Sequence, residues 1–149
     1  MSGEGGPYRS EEAIARVVRG FEECTLPFDQ WTHAAHLTVG CWFLARYPRD
    51  EATARIRAGI RRYNLANGVA QTPVRGYHET ITRFFIWAIA RQIAAQPPGT
   101  PLLALTNALL AGPCADPRFP LGYYSRDRLL SWEARTTWVE PDLRPLGDD

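Results

Sequence analysis

Residues 29–47 read DQWTHAAHLTVGCWFLARY, with Pro48 next in the chain, and this stretch decides the fold. Its side chains are apolar almost all the way round a helix, whereas a surface helix carries a single apolar stripe. We therefore expect a helix from about Asp29 to Tyr47 in the middle of a helical bundle. Pro48 ends it, because proline disfavours helical geometry in the residue before it.

The sequence on either side carries further helix signals and almost no strand signals. Five more helices are predicted, at about residues 10–24, 50–67, 78–96, 100–110 and 131–138. Ser10 and the Thr100-Pro101 pair suit helix starts, and Gly68 suits a helix end. The predicted class is all-α, a four- to five-helix bundle with an irregular C-terminal capping segment. A single domain is expected over residues 10–149, after a flexible N-terminus at residues 1–9.

The charged residues restrict the function classes. Seventeen basic and sixteen acidic residues give a net charge of +1, which provides no case for binding nucleic acid or an anionic membrane. All seventeen basic residues are arginine. The lack of lysine excludes lysine Schiff-base chemistry, a pyridoxal-phosphate lysine and a P-loop lysine.

Cysteine use and apolar run lengths predict a cytoplasmic protein. The three cysteines, Cys24, Cys41 and Cys114, are odd in number and contain no C-x-x-C pair. This pattern argues against a disulfide framework or a thiolate zinc site and favours a reducing compartment. The N-terminus lacks the apolar core of a signal peptide, and no apolar run has the length of a membrane span.

The three histidines suggest a metal site. His33 and His36 are three residues apart on the central helix, so their rings project from one face, which Asp29 would share. His78 opens the fourth helix, directly before Glu79. Two antiparallel bundle helices can bring such a pair opposite a third histidine, and imidazoles suit transition metals better than calcium or magnesium. We predict that His33, His36, His78 and Glu79 bind Zn, Fe, Mn or Ni.

Further residues are assigned roles around this predicted site. Glu79 is the candidate catalytic residue, as general base on a metal-bound water, or it has a structural role at the helix start and pairs with Arg83. Tyr77 and Thr82 are expected to support the metal ligands and to contact the substrate. Arg126 contacts the substrate if the C-terminal segment closes over the site.

Two functions from different classes fit this pattern. The first is a divalent-metal-dependent enzyme that acts on a small organic molecule through a mononuclear three-histidine site, either hydrolytic or lyase-type or an iron oxygenase. The alternative is a non-enzymatic helical module that binds a small molecule or a partner and whose histidines form a buried hydrogen-bond network. Nucleic acid and membranes are not expected as partners, and a homodimer stays open.

Three segments carry a resemblance to known proteins. WTHAAHL at residues 31–37, YHETIT at 77–82 and ARTTWVEPDLRPL at 134–146 resemble segments of small bacterial proteins of unassigned function. The resemblance covers about residues 21–146 and implies a complete single domain, without an activity. By analogy, the histidine placement is similar to that of the helical DinB-like metal proteins, whose site is three histidines on bundle helices; fold alone implies no reaction.

Overall fold

The structure is a computed structural model, and it describes residues 7–147. Its helices are α1 Glu11–Glu22, α2 His33–Arg46, α3 Arg49–Ala66, α4 Glu79–Ala94, α5 Leu102–Ala111, α6 Arg126–Leu129 and α7 Trp132–Thr136. Single 3-10 turns occur at Phe28–Gln30, Pro113–Ala115 and Phe119–Gly122. Residues 7–147 contain no β-strand, so the predicted all-α class is confirmed.

Helix α2 lies at the centre of the bundle and contacts α1, α3, α4 and α5. Leu37 and Cys41 pack into a core formed with α4, α5 and the C-terminal segment. Val39 and Phe43 pack into a second core, formed with α1 and α3. Because α2 contributes to both cores, it needs apolar side chains on nearly every side, as its sequence predicts.

The start of α2 differs from the sequence prediction. The helix begins at His33, because the Thr32 side chain accepts a hydrogen bond from the amide of Ala35 at 3.2 Å and caps it. Asp29 is exposed and lies in the preceding 3-10 turn. The prediction that Asp29 shares a helix face with His33 is therefore wrong.

The C-terminal segment, residues 112–147, packs against α4 and α5. The fully buried Tyr124 donates its hydroxyl proton to the carbonyl of Val139 at 2.7 Å, and Trp87 Nε1 of α4 donates to the carbonyl of Gly147 at 3.1 Å. Helix α7 corresponds to the helix predicted at residues 131–138, with Ser131 as its cap. These contacts hold an irregular chain over the bundle, as the proline-rich sequence predicts.

The N-terminal residues that the structure describes are tied to the bundle. The amide of Tyr8 donates to Asn107 Oδ1 at 3.1 Å, and Asn107 Nδ2 donates back to the carbonyl of Tyr8 at 3.0 Å. Of the segment predicted as flexible, residues 1–6 lie outside the described residues. Across residues 7–147, no helix combines the length and apolar character needed to cross a bilayer.

Candidate functional site

A mainly apolar cavity of about 380 Å³ lies between α2, α3 and α4; we call it the histidine cavity. This volume is within the range of small-molecule sites, which are mostly apolar with a few polar groups. Most of its wall is aliphatic or aromatic. The lining residues are Trp31, His33, His36, Leu37, Val39, Gly40, Ile56, Ile60, Ile81, Thr82, Phe85, Ile86, Ile89 and Pro117.

Two histidine rings supply the main polar groups of this wall, and hydrogen bonds to backbone carbonyls fix their tautomers. His33 Nε2 lies 2.8 Å from the carbonyl oxygen of Cys114, and His36 Nδ1 lies 2.7 Å from that of Thr32. A carbonyl only accepts, so both nitrogens must donate. In the neutral rings the lone pairs are then on His33 Nδ1 and His36 Nε2, which form no hydrogen bond within residues 7–147.

The environment of His36 keeps its ring neutral. Its side chain is solvent-accessible where it lines the cavity, and its ring stacks on Trp31 at a centroid distance of 3.8 Å. Although the ring is open to the cavity, partial desolvation by the closely packed protein around it lowers the pKa of His36 to about 4, against the opposing hydrogen bond to Thr32. At pH 7 His36 Nε2 is therefore a hydrogen-bond acceptor or a metal ligand, and a weak general base.

The predicted substrate-contacting residues separate in the structure. Thr82 lines the histidine cavity together with His33 and His36. Tyr77 is buried outside that cavity, and its hydroxyl donates to Glu79 Oε1 at 2.7 Å. Arg126 is exposed at the start of α6 and does not line the histidine cavity. Only Thr82 of these three is thus placed beside the histidine pair.

His78 is buried at the start of α4, where it caps the helix. Its Nδ1 accepts a hydrogen bond from the amide of Ile81 at 3.1 Å, and its Nε2 donates to the carbonyl of Leu129 at 2.8 Å. Burial lowers the pKa of His78 and the charge of Arg135 lowers it further, while the bond to Leu129 opposes them. Both ring nitrogens of the neutral ring are used, so neither lone pair is left for a metal ion.

Glu79 forms an ion pair with α3. Arg57 Nε and Nη2 donate to its two carboxylate oxygens at 2.9 and 2.7 Å, while Arg83 Nη1 lies 3.8 Å away. Burial raises the pKa of Glu79, but the hydrogen bonds from Arg57 and Tyr77 and the two arginine charges hold it below its usual range. A carboxylate so strongly held is a poor proton acceptor at neutral pH.

The four predicted metal ligands are not brought together. Among the side chains that the structure describes, no three from His, Cys, Asp and Glu are grouped so that they could hold a metal ion. His78 is bound to backbone groups at the start of α4, and Glu79 is bound to Arg57. The histidine pair on α2 remains, with Thr82 as a polar neighbour in the cavity.

Sequence reasoning missed the aliphatic wall of the cavity and the role of Arg57. The four-residue spacing of Ile56 and Ile60 favours buried side chains, but the sequence gives no sign that space remains between them and α4. Sequence spacing predicts contacts between side chains three and four residues apart on one helix. Arg57 and Glu79 are 22 residues apart, so only the packing of α3 on α4 reveals this pair.

The chain matches no family model, no curated protein and no solved structure. The resemblance to small bacterial proteins and the analogy to DinB-like proteins therefore stay predictions, as do the cytoplasmic location and the homodimer.

Replacing His78 with alanine is expected to lower the free energy of unfolding by about 1–3 kcal/mol, because the amide of Ile81 and the carbonyl of Leu129 both lose their partner. His78→Asn should cost less, since an asparagine side chain can still cap Ile81. Chemical denaturation of the two variants measures this order. An unfolding midpoint unchanged by His78→Ala would contradict the capping role.

Proposed function

We propose that this protein binds a small, mainly apolar molecule carrying a hydrogen-bond donor in the histidine cavity. The observation that carries this proposal is the pair of acceptors, His33 Nδ1 and His36 Nε2 of the neutral rings, in a wall whose other side chains, apart from Thr82, are apolar. His33 is partly exposed and His36 is exposed where they line the cavity, so both acceptors are open to a ligand. A ligand with an N–H or O–H group supplies a hydrogen-bond donor to them.

Affinity and selectivity are expected to have different sources. The isoleucines of α3 and α4 and the ring of Phe85 offer apolar contact, which contributes about 25 cal/mol per Å² buried. A hydrogen bond contributes a net of about 0.5–1.5 kcal/mol, a factor of roughly two to ten in binding. The cavity walls therefore set the affinity, and the two histidines set the preference for a donor and its orientation.

Indole and 1-methylindole test this proposal, because methylation removes the N–H donor and little else. We expect calorimetry to show saturable indole binding about three- to tenfold tighter than that of 1-methylindole. His33→Leu and His36→Leu keep an apolar side chain of similar size and should reduce this preference. The double variant should bind both compounds alike.

His78→Asn serves as the matched control for these variants, because His78 lies outside the histidine cavity. It should keep the wild-type preference for indole even if its stability falls. Circular dichroism checks that each variant is folded before binding is measured. Equal binding of the two indoles by the wild type, or no binding of either, would contradict the proposal.

A metal-dependent enzyme is the second candidate, and the same two histidines favour it. His33 and His36 would supply two imidazole ligands to Zn, Fe, Mn or Ni, with water or substrate as the others; such a metal acts as a Lewis acid on a small organic substrate. Elemental analysis of untagged protein purified without chelators tests this. About one metal per chain, lost in His36→Ala and kept in His78→Asn, would favour the enzyme over the binding module.

A further inference from the structure

A second cavity, of about 580 Å³, lies between the end of α3, the loop at residues 67–77 and α7; we call it the arginine cavity. It shares no lining residue with the histidine cavity. Its rim includes two exposed apolar side chains, Leu65 at 82% and Trp132 at 49% of full exposure. The polar groups of its wall include the guanidinium groups of Arg61 and Arg135.

Arg135 is a buried cation that has no carboxylate partner among the residues that the structure describes. Only 8% of its surface is exposed, and its one hydrogen bond runs from Nη1 to the carbonyl of Gly76 at 2.9 Å. Nε is the single buried side-chain nitrogen or oxygen of residues 7–147 that lacks a hydrogen-bond partner. Buried charges in proteins are normally paired, so this guanidinium is an exception that requires a reason.

Burial lowers the pKa of Arg135, with no neighbouring acid to oppose the effect. Arginine nevertheless stays protonated in proteins, so the positive charge persists in the wall. Its charge is also one cause of the lowered pKa of the buried His78 nearby. The fold thus maintains a cation here at a cost in free energy that no protein carboxylate offsets.

The second cation of the wall also has no carboxylate partner within residues 7–147. Arg61 is exposed, and its guanidinium lies 4.9 Å from the ring centre of Tyr77, without an acidic partner. Tyr77 itself donates to Glu79, and the carboxylate of Glu79 is occupied by Arg57. The arginine cavity therefore holds two positive charges, and the nearby carboxylate is committed elsewhere.

We infer that the arginine cavity binds the carboxylate of a small aromatic acid, with Arg135 as its principal anchor. The guanidinium fork matches a carboxylate with two parallel hydrogen bonds, and Arg61 adds a second charge. Trp132, half exposed at the rim, offers ring surface for the apolar part of the acid. Because Nε is screened from solvent, a carboxylate reaches it only after a change of side-chain rotamer around Arg135, a motion of nanoseconds or faster for exposed side chains. This site is independent of the function proposed for the histidine cavity.

Benzoate and benzamide are the probes for this inference, since they share shape and differ in charge. We expect benzoate to bind ¹⁵N-labelled protein saturably and about tenfold more tightly than benzamide, as a charge-assisted pair should. The Nε–H signal of Arg135 and the indole N–H signal of Trp132 should shift with bound benzoate. Signals of His33 and His36 in the histidine cavity should stay in place, which separates the two sites.

Three variants complete the test. Arg135→Lys keeps the charge without the fork and should weaken benzoate binding about tenfold, and Arg61→Gln about threefold to fivefold. Arg62→Gln is the matched control, because Arg62 is exposed, neighbours Arg61 in sequence and does not line the cavity. If Arg135→Lys fails to fold, Arg61→Gln and the wild-type Nε–H signal still decide. Equal binding of benzamide, or benzoate binding that leaves that signal unmoved, would overturn the inference.

Discussion

Replacing Glu79 with alanine is expected to lower the free energy of unfolding by about 2–3 kcal/mol at pH 7. The substitution removes both hydrogen bonds of Arg57 to this carboxylate and the acceptor of the Tyr77 hydroxyl. Removing one partner of a buried ion pair costs about 3–5 kcal/mol. The Arg57 side chain is 30% exposed, so water can solvate part of its charge and reduce the loss.

The ion pair of Glu51 and Arg55 provides the matched control, because it lies within α3, the helix that also carries Arg57. Arg55 Nη2 lies 2.8 Å from Glu51 Oε2, almost the separation of Arg57 and Glu79, but both side chains are nearly half exposed. Glu51→Ala should therefore cost much less than Glu79→Ala, because solvent screens the exposed pair. Equal losses in the two variants would show that burial of the Glu79 pair does not matter for stability.

The pH dependence of the Glu79 variant follows from the lowered pKa of this carboxyl. A carboxyl group with a lower pKa in the folded than in the unfolded state stabilises the fold above its unfolded pKa. This contribution is lost as the pH falls through the folded pKa. The difference between wild type and Glu79→Ala should thus be full at pH 7 and shrink below about pH 4.5, the ordinary value for glutamate. A difference independent of pH would contradict the ion-pair interpretation.

Phe84→Ala is expected to have the larger effect on stability, about 3–5 kcal/mol, the usual cost of removing a buried phenylalanine. Phe84 of α4 is 0% exposed. Five aromatic rings lie around it with centroid distances of 5.2–6.4 Å, those of Phe85, Trp87, Phe119, Tyr123 and Tyr124. Three of these rings belong to the C-terminal segment, so the variant should also loosen this segment from the bundle.

Denaturation together with hydrogen exchange measures both effects of Phe84→Ala. Amides of residues 119–124 should lose protection more than those of α2, because the lost ring contacts this part of the C-terminal segment. Phe28→Ala is the control, since Phe28 is 49% exposed and should cost less than about 1 kcal/mol. Unchanged protection of residues 119–124 would contradict the role of Phe84 in docking the segment.

The helical class and the central place of α2 could be predicted from local patterns. Apolar residues all round a segment leave no face for solvent, and this property needs no knowledge of the neighbours. Side-chain caps such as Ser10 and Ser131 are likewise local, because an N-cap acts within three residues. Thr32 is also such a cap, and the predicted start of α2 near Asp29 lies four residues before the observed start at His33.

The candidate site was predictable only in part. The sequence predicts polar side chains on two helices, at His33 and His36 of α2 and at Thr82 of α4. The structure places all three around one cavity. The position of His78 and Glu79 at the start of the fourth helix predicts the same site. The sequence cannot show, however, which distant groups bond to a ring nitrogen or a carboxylate. The Leu129 carbonyl and Arg57 provide those partners from 51 and 22 residues away.

The sequence by itself determined α1 to α5 and α7 and which helix is central, because these properties depend on residues within one or two turns; the four-residue helix α6 was not predicted. Only the tertiary structure decided which polar groups are satisfied. That outcome depends on which carbonyls and charges α3, α4 and the C-terminal segment bring together across long chain separations. The free nitrogens of His33 and His36 and the unpaired Nε of Arg135 are consequences of that packing.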